Sequence, residues 1–214
     1  MRLLLIRHTR VQIAPGICYG QSDVPLAETF EEEAKAVAGK LPPAWDKATV
    51  YSSPSTRCVR LAAQIAPACR TDARLMELNF GSWELTPWDE IDRVESEFWM
   101  ADYVHRACPG GESYSQMAGR VRQFAGQIAR ETPGQAILVT HAGVIRIFYC
   151  LAEGKPLTQA FDLNVGHGEI FAVDSDGQTF TKFHRLSRLL PGEITPGGTV
   201  HSTEKTPDAR SKSE

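Results

Sequence analysis

The chain has 214 residues, 42% of them hydrophobic, and a formal net charge of −3. That length supports one sizeable domain, and so small a charge gives no support for nucleic-acid binding, which requires an excess of basic residues. The five cysteines are widely spaced without a C-x-x-C pair, which argues against a disulfide framework or a zinc site. The N-terminal apolar stretch of four residues is too short for a signal peptide or a membrane span, so we expect a soluble cytoplasmic protein with reduced thiols.

The first part of the chain predicts a strand, a loop and a helix. Residues 3–6 form a continuous apolar run that is typical of a buried strand. Residues 10–27 have no clear period and contain several glycines and prolines, which predicts a loop. Thr29, followed by Glu32, has the pattern of a capping box, and the helix should end at the prolines at 42–43. Its buried stripe would consist of Phe30, Ala34, Val37 and Leu41.

A second strand–helix unit follows. Residues 48–51 predict a short strand, after which Ser53 suits a helix N-cap and Pro54 the first helical position. The buried stripe of that helix would consist of Cys58, Leu61, Ala62 and Ile65. Residues 74–78 are compatible with a third short strand.

The middle of the chain predicts helices. Residues 81–111 are rich in tryptophan, acidic residues and proline, and we expect one or two short helices there, starting near Thr86. Ser113 with Gln116 forms another capping box and begins a long amphipathic helix. The buried stripe of this helix would consist of Met117, Val121, Phe124 and Ile128.

The last part returns to strands. Residues 136–140 predict a buried strand, and an apolar helix follows His141. Residues 169–173 and 179–183 predict two further strands, joined by a turn that contains Asp176 and Gly177.

Because strands alternate with helices, we predict a three-layer α/β/α fold with a mainly parallel sheet and an antiparallel edge formed by the last two strands. We expect one domain over residues 1–186, with a short helical cap insertion at about 81–112. From residue 187 the chain is rich in glycine, proline, serine and charged residues without an apolar period, so the tail 187–214 is predicted to be disordered.

In open α/β sheets, ligands bind at the carboxyl ends of the parallel strands. The first strand leads into Arg7 and His8, the second into the helix that carries Arg57, the possible third into Glu77, and the fourth into His141. Arg57 lies in the first turn of its helix, where a cation opposes the helix dipole unless an anion is bound there. We therefore expect these five side chains to share one rim of the sheet.

Such a set suits phosphoryl transfer without a metal or another cofactor. A neutral imidazole at His8 would act as the nucleophile near neutral pH. The transferred group needs positive charge around its oxygens, which Arg7, Arg57 and a protonated His141 would supply. Glu77 would protonate the leaving alkoxide and then activate the water that hydrolyses the phosphohistidine.

Six short motifs, in order, resemble those of the histidine phosphatase superfamily, which has the phosphoglycerate mutase-like fold. They are Leu5 to His8 (LIRH), Tyr19 to Leu26 (YGQSDVPL), Tyr51 to Arg57 (YSSPSTR), Leu75 to Glu84 (LMELNFGSWE), Pro109 to Ser113 (PGGES) and Val139 to Gly143 (VTHAG). Any one motif is a weak indication, whereas six in the right order are strong.

The resemblance implies a phosphohistidine at His8, a phosphate pocket formed by Arg7, Arg57 and His141, and Glu77 as proton donor and acceptor. It also implies four substrate-binding residues, Tyr19, Gly20, Gln21 and Ala142.

Two positions depart from the family pattern. The superfamily usually has glycine where this chain has Thr9, and many members have asparagine where it has Ala14. One phosphate donor is therefore missing, or is replaced by Thr9, Gln12 or a backbone N–H.

The predicted partner is a small phosphate ester, with no nucleic acid and no membrane. The aromatic residues between 77 and 113 either pack the cap or form a wall for a ring-bearing leaving group. Few cations occur there, which favours a phosphatase over a mutase that must hold a bisphosphate. Within the superfamily, the loop from Gly20 to Leu26 and the compact length most resemble alpha-ribazole phosphatases of the cobalamin pathway.

Three alternatives remain open from the sequence. One is a phosphoglycerate mutase, and another is a catalytically silent phospholigand-binding module, suggested by Thr9 and Ala14. A metal-dependent hydrolase is the weakest of the three, because too few carboxylates accompany the two histidines for a two-metal site.

Overall fold

A six-stranded sheet forms the centre of the fold in the computed structural model, which describes residues 1–132 and 134–186. The strand order is β3-β2-β4-β1-β5-β6, in which the first four strands are parallel and the last two run antiparallel to their neighbours. The strands are β1 (Arg2–Arg7), β2 (Thr49–Ser52), β3 (Arg70–Thr71), β4 (Gln135–Thr140), β5 (Ile170–Ser175) and β6 (Phe180–Arg185).

Helices cover both faces of this sheet, which confirms the three-layer α/β/α prediction. The helices are α1 (Phe30–Ala38), α2 (Thr56–Ile65), α3 (Arg93–Ala101), α4 (Tyr114–Glu131) and α5 (Ala142–Glu153). Apolar residues of α1 and α2 pack on one face, and those of α4 and α5 pack on the other. The short helix α3 belongs to the segment that precedes α4 and has no buried residue.

Strand β1 lies in the middle of the sheet and divides its side chains between the two cores. Leu3 and Leu5 pack with the α4–α5 side, and Leu4 and Ile6 pack with the α1–α2 side. Successive side chains of a strand point to opposite faces, so a continuous apolar run is what a strand covered on both sides requires. The same strand ends at Arg7, directly before His8.

The long helix α4 begins as its sequence predicts. The Ser113 hydroxyl accepts a hydrogen bond from the Gln116 N–H at 3.3 Å, and the Gln116 side chain accepts one from the Ser113 N–H at 2.8 Å. This reciprocal capping box satisfies two backbone donors that the first helical turn leaves free.

Two predicted helix caps are wrong. Thr29 stands at the N-cap position of α1, but its hydroxyl bonds the Glu33 side chain, which Arg10 also binds, and caps no backbone N–H. Helix α2 begins at Thr56, three positions after Ser53, and its first N–H donates to Asp23 at 3.1 Å. A carboxylate from the distant loop therefore replaces the local cap.

Two element predictions also need correction. Residues 74–78 are not a strand, because Asp72 accepts a hydrogen bond from the Arg74 N–H at 2.8 Å and starts a 3-10 turn at Ala73–Leu75. Helix α3 begins at Arg93 rather than near Thr86, because residues 84–91 form turns and Pro87 makes an isolated β-bridge to Ile17.

The remaining predictions stand as follows. All five cysteines are free thiols. No helix in the described part of the chain combines the length and the apolar character needed to cross a membrane. The tail 187–214 lies outside the described residues, and the extent of the domain and its cap insertion stays a prediction.

Candidate active site

His8 follows β1 and is almost completely buried, with 2% of its surface exposed. Its Nδ1 lies 2.7 Å from the carbonyl oxygen of Thr9. Because a carbonyl can only accept, Nδ1 carries the proton and Nε2 keeps its lone pair. Burial, together with the positive charge of Arg57, holds the pKa of His8 well below its ordinary value, so the ring is neutral and nucleophilic.

Two arginines bring positive charge to this histidine. Arg57, on the first turn of α2, is fully buried and donates to the carbonyl oxygens of Ser22 at 2.9 Å and Gly20 at 2.5 Å. Arg7 donates to the carbonyl oxygen of Val165 at 2.6 Å. Within residues 1–132 and 134–186, neither arginine has a carboxylate at ion-pairing distance. Arg57 is buried and Arg7 half-buried, and guanidinium groups withdrawn from water without a counter-ion favour the binding of an anion.

His141 follows β4 and is fully buried beside His8, with 5.2 Å between the ring centroids. Its Nε2 lies 2.8 Å from the Ser53 hydroxyl, and its Nδ1 lies 3.4 Å from Nη2 of Arg57. Burial is the main cause that holds the pKa of His141 well below its ordinary value, and His8 and Arg57 add to it. The ring is therefore neutral in the free protein.

Glu77 reaches the same site from an irregular segment rather than from a strand. Its carboxylate accepts hydrogen bonds from the N–H groups of Leu78 at 3.0 Å and Gly143 at 3.1 Å. Gly143 lies in the first turn of α5, where the helix dipole favours negative charge. A Cβ at position 143 would lie 2.2 Å from Oε1 of Glu77, so this close approach requires glycine.

The loop that carries the predicted substrate-binding residues Tyr19, Gly20 and Gln21, called the substrate loop below, is held in place by Glu84. This carboxylate accepts hydrogen bonds from the N–H groups of Gly20, Gln21 and Ser22 at 2.9, 2.9 and 3.1 Å. Tyr19 lines the cavity, and its ring lies 5.6 Å from the Arg57 guanidinium. Gly20 and Gln21 lie behind the lining rather than in it, so their role in substrate binding stays a prediction.

These groups surround a cavity of about 210 Å³. It contains all five predicted catalytic residues, together with Tyr19 and Ala142. Its other walls are mainly aromatic, and none of the residues that form them was among the predicted site residues: Leu78, Phe80, Trp99, Tyr103, Tyr114, Gly143, Arg146 and Phe161. Phe161 is the clearest case, because it follows α5 in a short 3-10 segment that carries no recognisable motif.

The two residues that depart from the family pattern, Ala14 and Thr9, differ in how deeply they are buried. Ala14 is exposed and does not line the cavity. Thr9 is fully buried, and its hydroxyl has no hydrogen-bond partner in the described part of the chain. His167 lies next to the nucleophile, with 5.3 Å between its ring centroid and that of His8, and is a further polar neighbour that the sequence did not indicate.

Across the two described ranges, no three residues of the types His, Cys, Asp and Glu come together in a possible metal cluster.

The fold and the site define a class of enzyme in which paired histidines and arginines surround a cavity at the carboxyl ends of parallel strands. The family model of the histidine phosphatase superfamily (branch 1) matches residues 3–185. The chain belongs to that superfamily.

Relatives within the superfamily include named phosphatases. A metal-independent phosphoserine phosphatase from Arabidopsis thaliana is 32% identical, covering 91% of this chain and 89% of the relative. A putative phosphoserine phosphatase 2 from Hydrogenobacter thermophilus is 26% identical, covering 84% and 92%. The alpha-ribazole phosphatase from Shigella flexneri shares the fold, with a TM-score of 0.79 at 24% identity and coverage of 91% and 100%.

Proposed function

We propose that this protein is a metal-independent phosphomonoesterase that forms a phosphohistidine at Nε2 of His8. The observation that carries the proposal is the tautomer of the His8 ring together with the positive charge beside it. Nδ1 donates to the Thr9 carbonyl, and Nε2 keeps its lone pair. The buried Arg57 and the half-buried Arg7 lie beside it, and neither has a counter-ion in the described part of the chain. Nucleophile and anion site are therefore present together.

The first step transfers the phosphoryl group to the enzyme. The Nε2 lone pair of His8 forms the N–P bond while the bond between phosphorus and the leaving oxygen breaks. Arg7 and Arg57 stabilise the charge on the phosphoryl oxygens, and His141 contributes once it takes up a proton. Glu77 in its protonated form donates its proton to the leaving oxygen, so the alcohol leaves neutral.

The second step returns the enzyme to its starting state. The ionised Glu77 accepts a proton from a water molecule, the water oxygen bonds to phosphorus, and the N–P bond breaks. The products are inorganic phosphate and free His8, and Glu77 is again protonated. The hydrogen bonds from the Leu78 and Gly143 N–H groups keep this carboxylate at the cavity wall in both steps.

We propose alpha-ribazole 5′-phosphate as the first substrate to test, which would place the reaction in cytoplasmic cobalamin biosynthesis. Five aromatic rings line the cavity, those of Phe80, Trp99, Tyr103, Tyr114 and Phe161, apart from Tyr19 in the substrate loop. Flat rings suit a leaving group that itself carries a ring system.

Phosphoserine is a second candidate because of Arg146. This residue lies on α5 one turn beyond Ala142 and lines the cavity. Its Nε donates to the Leu163 carbonyl at 3.0 Å, and its guanidinium lies 4.5 Å from the ring centroid of Phe161. A carboxylate on the leaving group, about 5.4 Å along the helix from the phosphate end, would meet this cation. The relatives named as phosphoserine phosphatases agree with this choice.

The deciding experiment measures phosphate release, with a chelator present, from alpha-ribazole 5′-phosphate, phosphoserine, 3-phosphoglycerate and a set of sugar and nucleoside monophosphates. A clear preference for the first compound supports the full proposal, and a preference for phosphoserine selects the second candidate. Loss of activity with the chelator would contradict the metal-independent mechanism. Phosphate transfer between positions of phosphoglycerate, primed by a bisphosphate, would indicate a mutase instead.

His8→Ala tests the nucleophile directly. Because no other group in the mechanism can form the covalent intermediate, we expect phosphate release to fall by several orders of magnitude. Circular dichroism and thermal unfolding establish that the variant is folded. Rapid quenching with a ³²P-labelled ester should trap label on the wild type and none on the variant, and ordinary turnover by the variant would refute the mechanism.

A further inference from the structure

The Ser53 hydroxyl has no part in the mechanism above, yet it is one of the most enclosed polar groups near the site. Ser53 follows β2 and is fully buried. Its Oγ lies 2.8 Å from Nε2 of His141, 3.3 Å from the Ser55 hydroxyl and 3.4 Å from the Ser55 N–H. In this geometry the hydroxyl donates to the Ser55 oxygen and accepts from the Ser55 N–H.

The proton positions follow from what each partner can do. Ser53 donates its single hydroxyl proton to the Ser55 oxygen, so the contact with His141 requires the proton of Nε2. On the other side of the ring, Nδ1 faces Arg57, whose guanidinium can only donate. Both contacts therefore favour the same neutral tautomer of His141, with the proton on Nε2 and the lone pair on Nδ1.

Cys58 agrees with this assignment. Its thiol lies 3.6 Å from both the Thr140 carbonyl oxygen and Nε2 of His141. The carbonyl can only accept, so the thiol proton points there and the sulfur is left as a weak acceptor toward Nε2–H.

We propose that Ser53 is a positioning residue for the phosphoryl-transfer reaction: it holds His141 with Nε2–H bound and Nδ1 turned toward Arg57 and the phosphate site. When the phosphate dianion binds, Nδ1 takes up a proton, and Ser53 keeps an acceptor on the opposite nitrogen of the imidazolium. A hydrogen bond to a charged donor is stronger than one to a neutral donor, so Ser53 favours the protonated ring. The inference rests on the proposed function, because His141 needs this charge only if the site binds phosphate.

Several charged or titratable groups surround His141: Arg7 and His8 from β1 and its end, Arg57 and Cys58 from α2, Glu77 across the shared cavity, and, as a more distant charge, Arg120 from α4. The cations disfavour protonation of the free ring, and a bound dianion offsets them. Loss of the Ser53 oxygen therefore lowers the pKa of His141 in the phosphate complex. Because the protonated ring is the active form, the alkaline limb of the kcat profile should move to lower pH.

Ser53→Ala and Ser52→Ala form a matched pair for the test. Ser52 is equally buried, but its hydroxyl donates to the Ser53 carbonyl at 2.8 Å and does not contact His141. For Ser53→Ala we expect kcat to fall roughly 10- to 100-fold, as for loss of a hydrogen bond to a charged group, and the alkaline limb to shift to lower pH. For Ser52→Ala we expect the wild-type pH profile. A folded Ser53→Ala variant with wild-type kcat and an unshifted limb would overturn the proposal.

Nitrogen-15 NMR of the ring nitrogens tests the same point without turnover. The wild type should show the Nε2–H tautomer of His141, and titration with inorganic phosphate should protonate Nδ1. In Ser53→Ala this protonation should occur only at lower pH, and an Nδ1–H tautomer in the free wild type would contradict the proposal. If the wild type hydrolyses no ester, the proposed function fails, whereas the NMR result still decides the role of Ser53.

Discussion

Three histidine rings meet at the nucleophile. His8 lies between His141 and His167, with ring centroids 5.2 and 5.3 Å away, and Arg7 and Arg57 are close to it. Burial is the main cause that lowers the pKa of all three rings, and for His167 it lowers the pKa to about 4. The empty site therefore keeps its histidines neutral, which is the state that the proposed nucleophile His8 requires.

This arrangement makes stability depend on pH. A histidine whose pKa is lower in the folded state binds fewer protons there than in the unfolded chain, where the pKa is about 6.5. Stability is then unaffected above about pH 7 and falls as the pH decreases through about 6.5 toward the folded pKa. Each fully buried ring contributes at most about 1.4 kcal/mol per pH unit in this window.

Urea unfolding at several values between about pH 7.5 and pH 5 measures this slope. We expect His8→Gln to be less sensitive to acid than the wild type, because it removes one of the buried rings. His184→Gln is the control, since His184 lies exposed on β6. Equal slopes for His8→Gln and the wild type would show that the buried ring does not contribute.

At the scale of elements, helix α4 holds in place the irregular segment that carries Glu77, the proposed general acid. Arg120 of α4 donates to the carbonyl oxygens of Arg74, Met76 and Glu77 at 2.8, 2.7 and 2.9 Å. It also forms an ion pair with Glu112 at 2.6 Å. The segment around Glu77 has little regular secondary structure, so these carbonyls have no neighbouring strand to bind. The Arg120 side chain therefore takes the place of the backbone hydrogen bonds that a neighbouring strand would form, and it fixes the position of Glu77.

Arg120→Gln should impair proton donation by Glu77 more than it impairs phosphate binding. We expect kcat for an alkyl phosphate, whose leaving alkoxide needs a proton, to fall about tenfold or more. The loss for p-nitrophenyl phosphate should be smaller, because nitrophenolate leaves without one.

Arg122→Gln is the matched control, on an exposed face of the same helix. Steady-state kinetics on both esters for both variants separates a specific effect from a general one. Equal losses on the two esters would indicate that Arg120 supports the fold and not the acid.

At the scale of the whole molecule, one strand packs into both hydrophobic cores and leads directly into the proposed nucleophile His8. Strand β1 pairs with β4 and β5, and its residue Leu5 is fully buried opposite Leu138 and Phe171. His8 comes three positions later. Rigid support of this kind keeps a nucleophile within the tolerance that phosphoryl transfer requires.

Leu5→Ala should therefore destabilise the protein by about 2–5 kcal/mol, the cost of a cavity in a close-packed core. The same substitution at Leu85, which is 55% exposed, should change stability by about 0.5 kcal/mol or less. Urea unfolding monitored by circular dichroism measures both. A loss at Leu5 no larger than at Leu85 would contradict the assignment of β1 as the shared core strand.

The sequence by itself determined the layered fold and the placement of the main catalytic candidates. Apolar runs predict buried strands, helical spacing predicts the faces of α2 and α4, and alternation of the two predicts a parallel sheet. The rule for carboxyl ends then brings Arg7, His8, Arg57 and His141 together, because all parallel strands end at the same edge of the sheet, whatever their order.

Only the tertiary structure decided how these groups are held. The partner of Ser53 is a ring 88 positions away, α2 is capped by a loop carboxylate, and Phe161 enters the cavity from a segment without a motif. Local patterns report a residue's preference for a helix, a strand or a turn, and they carry no information about which distant group will use its hydrogen bond. The competition between a local cap and a long-range partner is settled by packing, since a buried polar atom takes whichever partner the folded chain places within reach.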